Sequence, residues 1–267
     1  MSGPVFLTEP EPARGVALPV APGIRRIVAR NPSPMTYRGT NTYLIDGQDG
    51  AFVLDPGPDD VAHVAEVLVA AGRIAGILVS HGHSDHVGAL PALAAATGAP
   101  VHSASGAFGP AVRDGNVVAG WTALATPGHA PDHLCFARGD IVFSADHVMS
   151  FSSSVVIPPE GDMAAYIAAL RRMLARNDRL LLPGHGPPIT APRDFVAALL
   201  AHRLAREAAI LALVRGAPQS PAEIVGTLYV GLNPRLGGAA EASVRAHLLK
   251  LQADGLATER DGVWRGG

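Results

Sequence analysis

A single cysteine, Cys135, stands in a chain of 267 residues, so no disulfide can close within it. Cys135 falls in Leu134-Cys135-Phe136-Ala137, which reads as a strand, and its thiol is expected to be buried and inert. Charge of one sign is also lacking. The net charge of −2 gives nothing that would draw the chain as a whole to nucleic acid, although a local basic patch stays open. No apolar run approaches the roughly 18 residues that a membrane span needs. The amino terminus lacks the basic segment followed by a long apolar stretch that marks a secretory signal. Together these absences point to the cytoplasm and away from the membrane. What remains, 48% hydrophobic residues in 267, suffices for one large core or for one core and a small module.

Against that background one stretch stands out, Ser80-His81-Gly82-His83-Ser84-Asp85-His86, with three imidazoles and a carboxylate in six positions. Ile74 to Val79 before it reads as a buried strand, and Val87 to Ala96 after it as a helix ending before Gly98. The cluster therefore lies past the carboxyl end of a strand, where open α/β sheets place their sites. On an extended loop the side chains at i and i+2 point the same way, so His81 and His83 can reach one ion together. Asp85 and His86, where the chain turns into the helix, can aim at a second point nearby. Imidazole nitrogen and carboxylate oxygen suit zinc, and iron and manganese share this chemistry. Three further segments put a ligand-type residue just past a short apolar strand: Pro127-Gly128-His129, Ser144-Ala145-Asp146 and Gly184-His185-Gly186.

His-x-His-x-Asp-His, Pro-Gly-His, Ser-x-Asp and Gly-His-Gly, in this order, resemble the metallo-β-lactamase superfamily over about residues 20 to 190. The resemblance implies an α/β fold, an αββα sandwich with the site at one edge of its two sheets. It also implies two Zn2+ ions, or Fe or Mn in their place. His81, His83 and His129 would hold the first ion, Asp85, His86 and His185 the second, and Asp146 would bridge them. Ala145 stands where the family usually has glycine. Asp55, in Asp55-Pro56-Gly57 after a strand, resembles the superfamily's acid that orients the metal loop without ligating, and His133 is read as a supporting residue of the same kind.

In chain order, residues 1–23 are rich in Pro, Gly and Ala and read as an extended lead-in. The catalytic domain is expected over 24–190. Within it, Asp46 to Gly50 makes a hairpin turn between Thr42 to Ile45 and Ala51 to Leu54. Asp59-Asp60 offers an N-cap for a helix with Val61, Val64, Ala65 and Leu68 on one face, and Gly72 stops it. His63 lies off that face and is expected to be exposed. Phe151 to Pro159 reads as a wall of the substrate cleft. A connecting helix is expected over 191–215, and a winged-helix-like module over 216–267. That module opens on a capping box, Ser220-Pro221-Ala222-Glu223. It continues through a second helix to Asp254 and ends in a hairpin turning at Asp261-Gly262. Arg245 and Lys250 on the second helix stand among Glu241 and Asp254, a mixed charge that weighs against sequence-specific DNA binding.

Asn31-Pro32-Ser33-Pro34-Met35-Thr36, Gly39-Thr40-Asn41-Thr42-Tyr43 and the carboxyl-terminal module resemble the β-lactamase-like protein 2 group over nearly the whole chain. Characterised members of that group cleave single-stranded RNA. The chain thus reads as a metal-dependent hydrolase. A water shared by two such ions gives hydroxide near neutral pH, and Asp85 is placed to orient it. Asn41 is a candidate for positioning substrate, with a turn-closing hydrogen bond as its competing role, and His147 either lines the substrate cleft or points away into the fold. RNA is one substrate class, for which a basic strip leading to the metals is expected. Small acyl, thioester or lactam compounds are the other, as in a glutathione thioesterase or a β-lactamase. A nucleic-acid binder with a vestigial site is disfavoured by the full set of seven ligand-type residues.

Overall fold

The computed structural model describes residues 3–107 and 109–267. One sheet runs in spatial order β1 (Leu18–Ala21), β2 (Ile24–Val28), β3 (Asn41–Ile45), β4 (Ala51–Leu54), β5 (Ile74–Leu78) and β6 (Val101–His102). The second holds β7 (Val117–Val118), β8 (Trp121–Ala125), β9 (Leu134–Arg138), β10 (Ile141–Ala145) and β11 (Leu180–Pro183), in reverse order across the sheet. Their facing sides share one core, with Tyr43, Leu54 and Leu78 against Trp121, Phe136 and Phe143. Each such side chain stabilises the sandwich by about 1.5–3 kcal/mol on burial.

Helices cover both outer faces. α1 (Val61–Ala71), the single turn α2 (Ser84–Val87) and α3 (Leu90–Thr97) accompany the first sheet. Val67, Leu90 and Leu93 there pack with Ile27, Leu44 and Ile77. On the second sheet α4 (Met163–Leu174) and the first half of α5 (Pro192–Gly216) pack Tyr166, Ile167 and Leu199 with Val142 and Leu181. The architecture is an αββα sandwich. Asp60 and Asp162 cap α1 and α4 by accepting from the second and third helical N–H groups.

α5 also begins the carboxyl-terminal module. Its later residues Ile210 and Val214 join a separate core with Ile224, Val244, Leu248 and Trp264. That core is built by α6 (Pro221–Leu228), α7 (Gly237–Ala253) and the hairpin β12 (Ala257–Arg260) and β13 (Val263–Gly266). Ser220 and Glu223 cap α6 reciprocally. Asp261 and Gly262 turn the hairpin with φ of 53° and 79°, as a two-residue type I′ turn requires. This is a winged helix.

Three expectations need correction. The extended lead-in does not reach residue 23, because Leu18–Ala21 pairs with Ile24–Val28 as an edge strand, where Pro19 is tolerated. The chain before it is also tied down. Glu9 pairs at 2.7 Å with Arg26, a buried guanidinium that needs a counter-charge. His63 is fully buried, 2.9 Å from Thr42 Oγ1, under the loop after β4. The helix after the histidine cluster is two: Pro91 has no N–H to give the Val87 carbonyl, so α2 stops and α3 starts anew.

Cys135 is fully buried, and burial pushes its thiol pKa up to about 12. Thr126 Oγ1 lies 3.3 Å and the Ser144 carbonyl 3.6 Å from its sulfur. Cys135→Ser would therefore find partners for its hydroxyl. It is expected to keep its hydrolytic rate, and the native thiol is expected to resist thiol reagents until the chain unfolds. Loss of turnover in a folded Cys135→Ser protein would contradict this.

Among the described residues, no helix is long and apolar enough to cross a membrane.

Candidate metal centre

β8, β10 and β11 run in one direction, since β10 is parallel to β11 and both β8 and β10 are antiparallel to β9. Their carboxyl ends therefore open at one edge of the second sheet, carrying His129, Asp146 and His185. His81, His83, Asp85 and His86 follow the carboxyl end of β5 in the first sheet. The two edges are pinned together where Asn41 N donates to Gly184 O at 2.8 Å. All seven residues picked out in the sequence meet there.

Their atoms fall into three overlapping groups, each with its ligand-type atoms within 4.8 Å of one another: His81, His83 and His129; His81, His86 and Asp146; Asp85, His86 and His185. His83 Nδ1 lies 3.0 Å from both His81 Nε2 and His129 Nε2. His185 Nε2 lies 3.2 Å from Asp85 Oδ2 and 3.4 Å from Asp146 Oδ2. Asp146 stands between the two ends, its Oδ1 3.3 Å from His86 Nε2 and its Oδ2 3.6 Å from His129 Nε2.

The far side of each ring decides what the near side offers. Asp55 Oδ2 accepts from His86 Nδ1 at 2.9 Å and from the Ser80 hydroxyl at 2.7 Å. Having spent its proton on Asp55, Ser80 Oγ must accept from His81 Nδ1, 2.9 Å away. The Val155 carbonyl accepts from His129 Nδ1 at 2.7 Å, and the Gly39 carbonyl from His185 Nδ1 at 3.3 Å. In the neutral ring each of these four histidines then carries its proton on Nδ1 and turns an Nε2 lone pair inward. His86 Nε2 and Asp146 Oδ1, both buried, have no hydrogen-bond partner among the described residues. Inward lone pairs beside a buried carboxylate repel one another unless protons or cations stand between them, and this donor set fits divalent metal.

The charges respond accordingly. Burial lowers the pKa of His86, but the Asp146 and Asp55 carboxylates outweigh it and hold the ring well above its ordinary range. His185 is raised to about 9, with Asp146 and Asp85 overcoming burial. Burial disfavours the Asp146 carboxylate, yet His185 and His86 hold its pKa well below the usual range. His81 and His129 are lowered, chiefly by burial.

Of the roles open to Asn41 and His147, the structure shows the structural one for each. Asn41 is buried, and its Nδ2 donates to the carbonyls of Pro183 and Gly186, both at 2.9 Å. It holds the loop that carries His185. His147, the other candidate, is fully buried against the Tyr166 ring, and burial pulls its pKa down to about 3. Asp146 turns outward to the cluster while its neighbour turns into the core. His133 is buried 2.8 Å from Thr126 Oγ1 and packs its ring on His81 at 5.0 Å. Asp55 touches Ser80 and His86, with φ of 53°, a strained value for a non-glycine residue.

Ser80, Thr126, the Val155 and Gly39 carbonyls and Gly184 were not read as site residues. A Cβ on Gly184 would lie 2.3 Å from Asp146 Oδ1. Ser80, the residue before the first histidine, was open to reading; main-chain carbonyls carry no sequence signal.

Residues 35–115 and 107–185 match the family model described as the metallo-beta-lactamase superfamily, and 220–264 match that of a beta-lactamase associated winged helix domain. The chain is 28% identical over 260 residues to a Beta-lactamase-like protein 2 homolog of Drosophila melanogaster, covering 86% of this chain and 88% of that one. It is 31% identical over 217 residues to an atrochrysone carboxyl ACP thioesterase of Aspergillus chevalieri, covering 76% of this chain and 69% of that one. The crystal structure of a Beta-lactamase domain protein from Burkholderia ambifaria superposes with a TM-score of 0.84 at 23% identity, over 96% of this chain and 95% of that one.

Proposed function

The chain belongs to the metallo-beta-lactamase superfamily of hydrolases, and from that membership we propose that it is a dinuclear metal-dependent acyl hydrolase that cleaves a thioester. His81, His83 and His129 would hold one ion, Asp85, His86 and His185 the other, with Asp146 shared. When bound, a pair of divalent ions supplies Lewis acidity, lowering the pKa of water toward about 7 and polarising the carbonyl under attack. The residues do the placing. Val155, Gly39, Asp55 and Ser80 fix the rings, and Asn41 fixes the loop of His185. Asp85, with its side chain 29% exposed against 8% for Asp146, is the carboxylate that reaches solvent, so it orients and deprotonates the attacking water.

The observation that carries the acyl reading is the rim. A largely apolar cavity lined by Met35, Met149, Leu232 and Leu236 adjoins the 149–155 segment that backs His129. Elsewhere in the catalytic domain Arg26 is paired with Glu9, and Arg14 and Arg38 with Glu11. Such pairing leaves less free positive charge for an RNA backbone. On α7 Lys250 is likewise held by Glu207 and Asp254. The fungal relatives with thioesterase names are of 30–31% identity. A second reading, cleavage of single-stranded RNA, draws on the whole-chain likeness to the Drosophila protein, winged helix included.

The test is a paired assay on metal-quantified protein. It sets a short-chain acyl thioester, S-lactoylglutathione and a chromogenic cephalosporin beside single-stranded RNA, each with a His83→Ala control. His83 is only partly buried, so truncation leaves no large cavity. Thioester hydrolysis with near-stoichiometric metal, both lost in His83→Ala, is the expected result. RNA cleavage lost in the variant, with thioesters untouched, would replace it by the second reading.

A further inference from the structure

Between the 149–155 segment and the winged helix lies a cavity of about 160 Å3, faced by Met35 and Met149 on one side and by Leu232, Leu236 and Ala239 on the other. A cavity of that volume holds one benzene ring, and so a single ring or a chain of about six carbons. Its wall includes Arg203 from α5, only 3% exposed. The guanidinium donates through Nη1 to Ser243 Oγ at 3.2 Å and through Nη2 to the Ser154 carbonyl, while Nε, also buried, has no partner. The Tyr166 ring lies 5.2 Å beneath it. The acid one turn further along α5, Glu207, is taken by His247 at 3.2 Å and Lys250 at 2.8 Å. Among the described residues no carboxylate pairs with Arg203. Partners that are neutral leave a buried cation short of charge, and a pocket that is mostly apolar, with serines and His202 also on its wall, favours a ligand with an apolar body and an anionic end.

We propose that this cavity binds a small amphipathic carboxylate, its apolar body against Met35, Met149 and Leu236 and its carboxylate on Arg203. The same short segment serves the metal centre, since Ser154 O takes Arg203 and the neighbouring Val155 O takes His129. The ligand is then the non-reacting end of the substrate. That last identification rests on the acyl-hydrolase reading; the binding itself does not.

Hexanoate and 1-hexanol are the probes, titrated calorimetrically into the metal-loaded protein. Hexanoate is expected to bind saturably and about tenfold more tightly than hexanol, the difference being one charge-assisted contact. Arg203→Met should erase that preference and leave hexanol binding unchanged. Should Arg203→Met fail to fold, Ser243→Asp serves instead, because it sets a carboxylate beside the guanidinium and should also erase the preference. Absence of saturable hexanoate binding to the native protein would overturn the proposal. So would an undiminished preference in the folded variants, which would place the carboxylate elsewhere, on the metals for instance. Hexanoate binding by a protein that leaves thioesters intact would sink the substrate assignment alone, and thioester turnover without hexanoate binding would sink the cavity site alone.

Discussion

Gly184→Ala is expected to abolish hydrolysis and metal retention together while leaving most of the fold in place. An added Cβ would lie 2.3 Å from Asp146 Oδ1, 2.8 Å from His86 Cε1 and 3.2 Å from the Ala145 carbonyl carbon. The backbone cannot retreat, because Gly184 N donates to Ala145 O at 2.9 Å and Gly184 O accepts from Asn41 N at 2.8 Å. These two bonds join β10 to β11 and the second sheet to the first. The movable partner is the Asp146 carboxylate, which must swing away from His86 and His185, now 3.3 and 3.4 Å off. It touches His129 at one end of the site and His185 at the other, so its displacement disturbs both proposed ions. A misplacement of about 1 Å at a reacting centre can reduce rate by roughly 10²-fold, and here the disturbance adds to weaker metal binding. Overpacking costs about 1–3 kcal/mol, which a domain with three apolar cores survives. Metal content after dialysis, thioester turnover and a thermal melt measure the three effects separately. Full metal with full activity would mean that Asp146 does not hold the site together.

The sequence disclosed the ligand-type residues because they lie past strands whose apolar runs are short and bounded. The spacing in His81, His83, Asp85 and His86 could be read without any tertiary knowledge. The winged helix was equally legible, since the Ser220–Glu223 cap and the Asp261-Gly262 turn are local devices. What escaped was set across the chain. His63 was expected outside because its helix face was judged by periodicity alone; it is buried because Thr42 from a neighbouring strand supplies a partner for its ring. Asn41 could be read as a substrate contact or as a structural hydrogen-bonding residue, and what decides between them, carbonyls more than 140 residues away that take its amide, has no local signal. The carbonyls of Val155 and Gly39 fix two of the rings, and any residue type could have provided them. The cavity beside Arg203 needs α5, α7 and the 149–155 segment together, and no local pattern contains all three.

Asp55→Asn is expected to leave the protein folded and to weaken metal binding about 100-fold, the upper end of what an outer partner of ligating histidines contributes. The argument turns on one proton. Asp55 Oδ1 accepts from Ser80 N at 2.7 Å, so an asparagine keeps its oxygen there. Its NH2 group then occupies the place of Oδ2, facing His86 Nδ1 and Ser80 Oγ. His86 Nδ1 must now accept, its proton moves to Nε2, and the lone pair that faced Asp146 becomes a donor toward it. Without metal that is a satisfactory hydrogen bond, so the fold loses little. Ser80 Oγ, now accepting from the amide, is free to give its proton to His81 Nδ1, which moves that ring's proton to Nε2 as well. Both ends of the site are thereby affected through one side chain. Asp55→Ala differs, since it strands the Ser80 N–H, the Ser80 hydroxyl and His86 Nδ1 in the interior. Each buried unsatisfied group costs about 1–3 kcal/mol, so that variant should lose stability as well as metal. Chelator competition gives the metal affinity, and nitrogen-15 shifts of the histidine rings report which nitrogen is protonated. A folded Asp55→Asn protein with native affinity and Nδ1–H tautomers would show that the rings are oriented by something other than Asp55. Weakened affinity with unchanged tautomers would assign the loss to the missing negative charge instead.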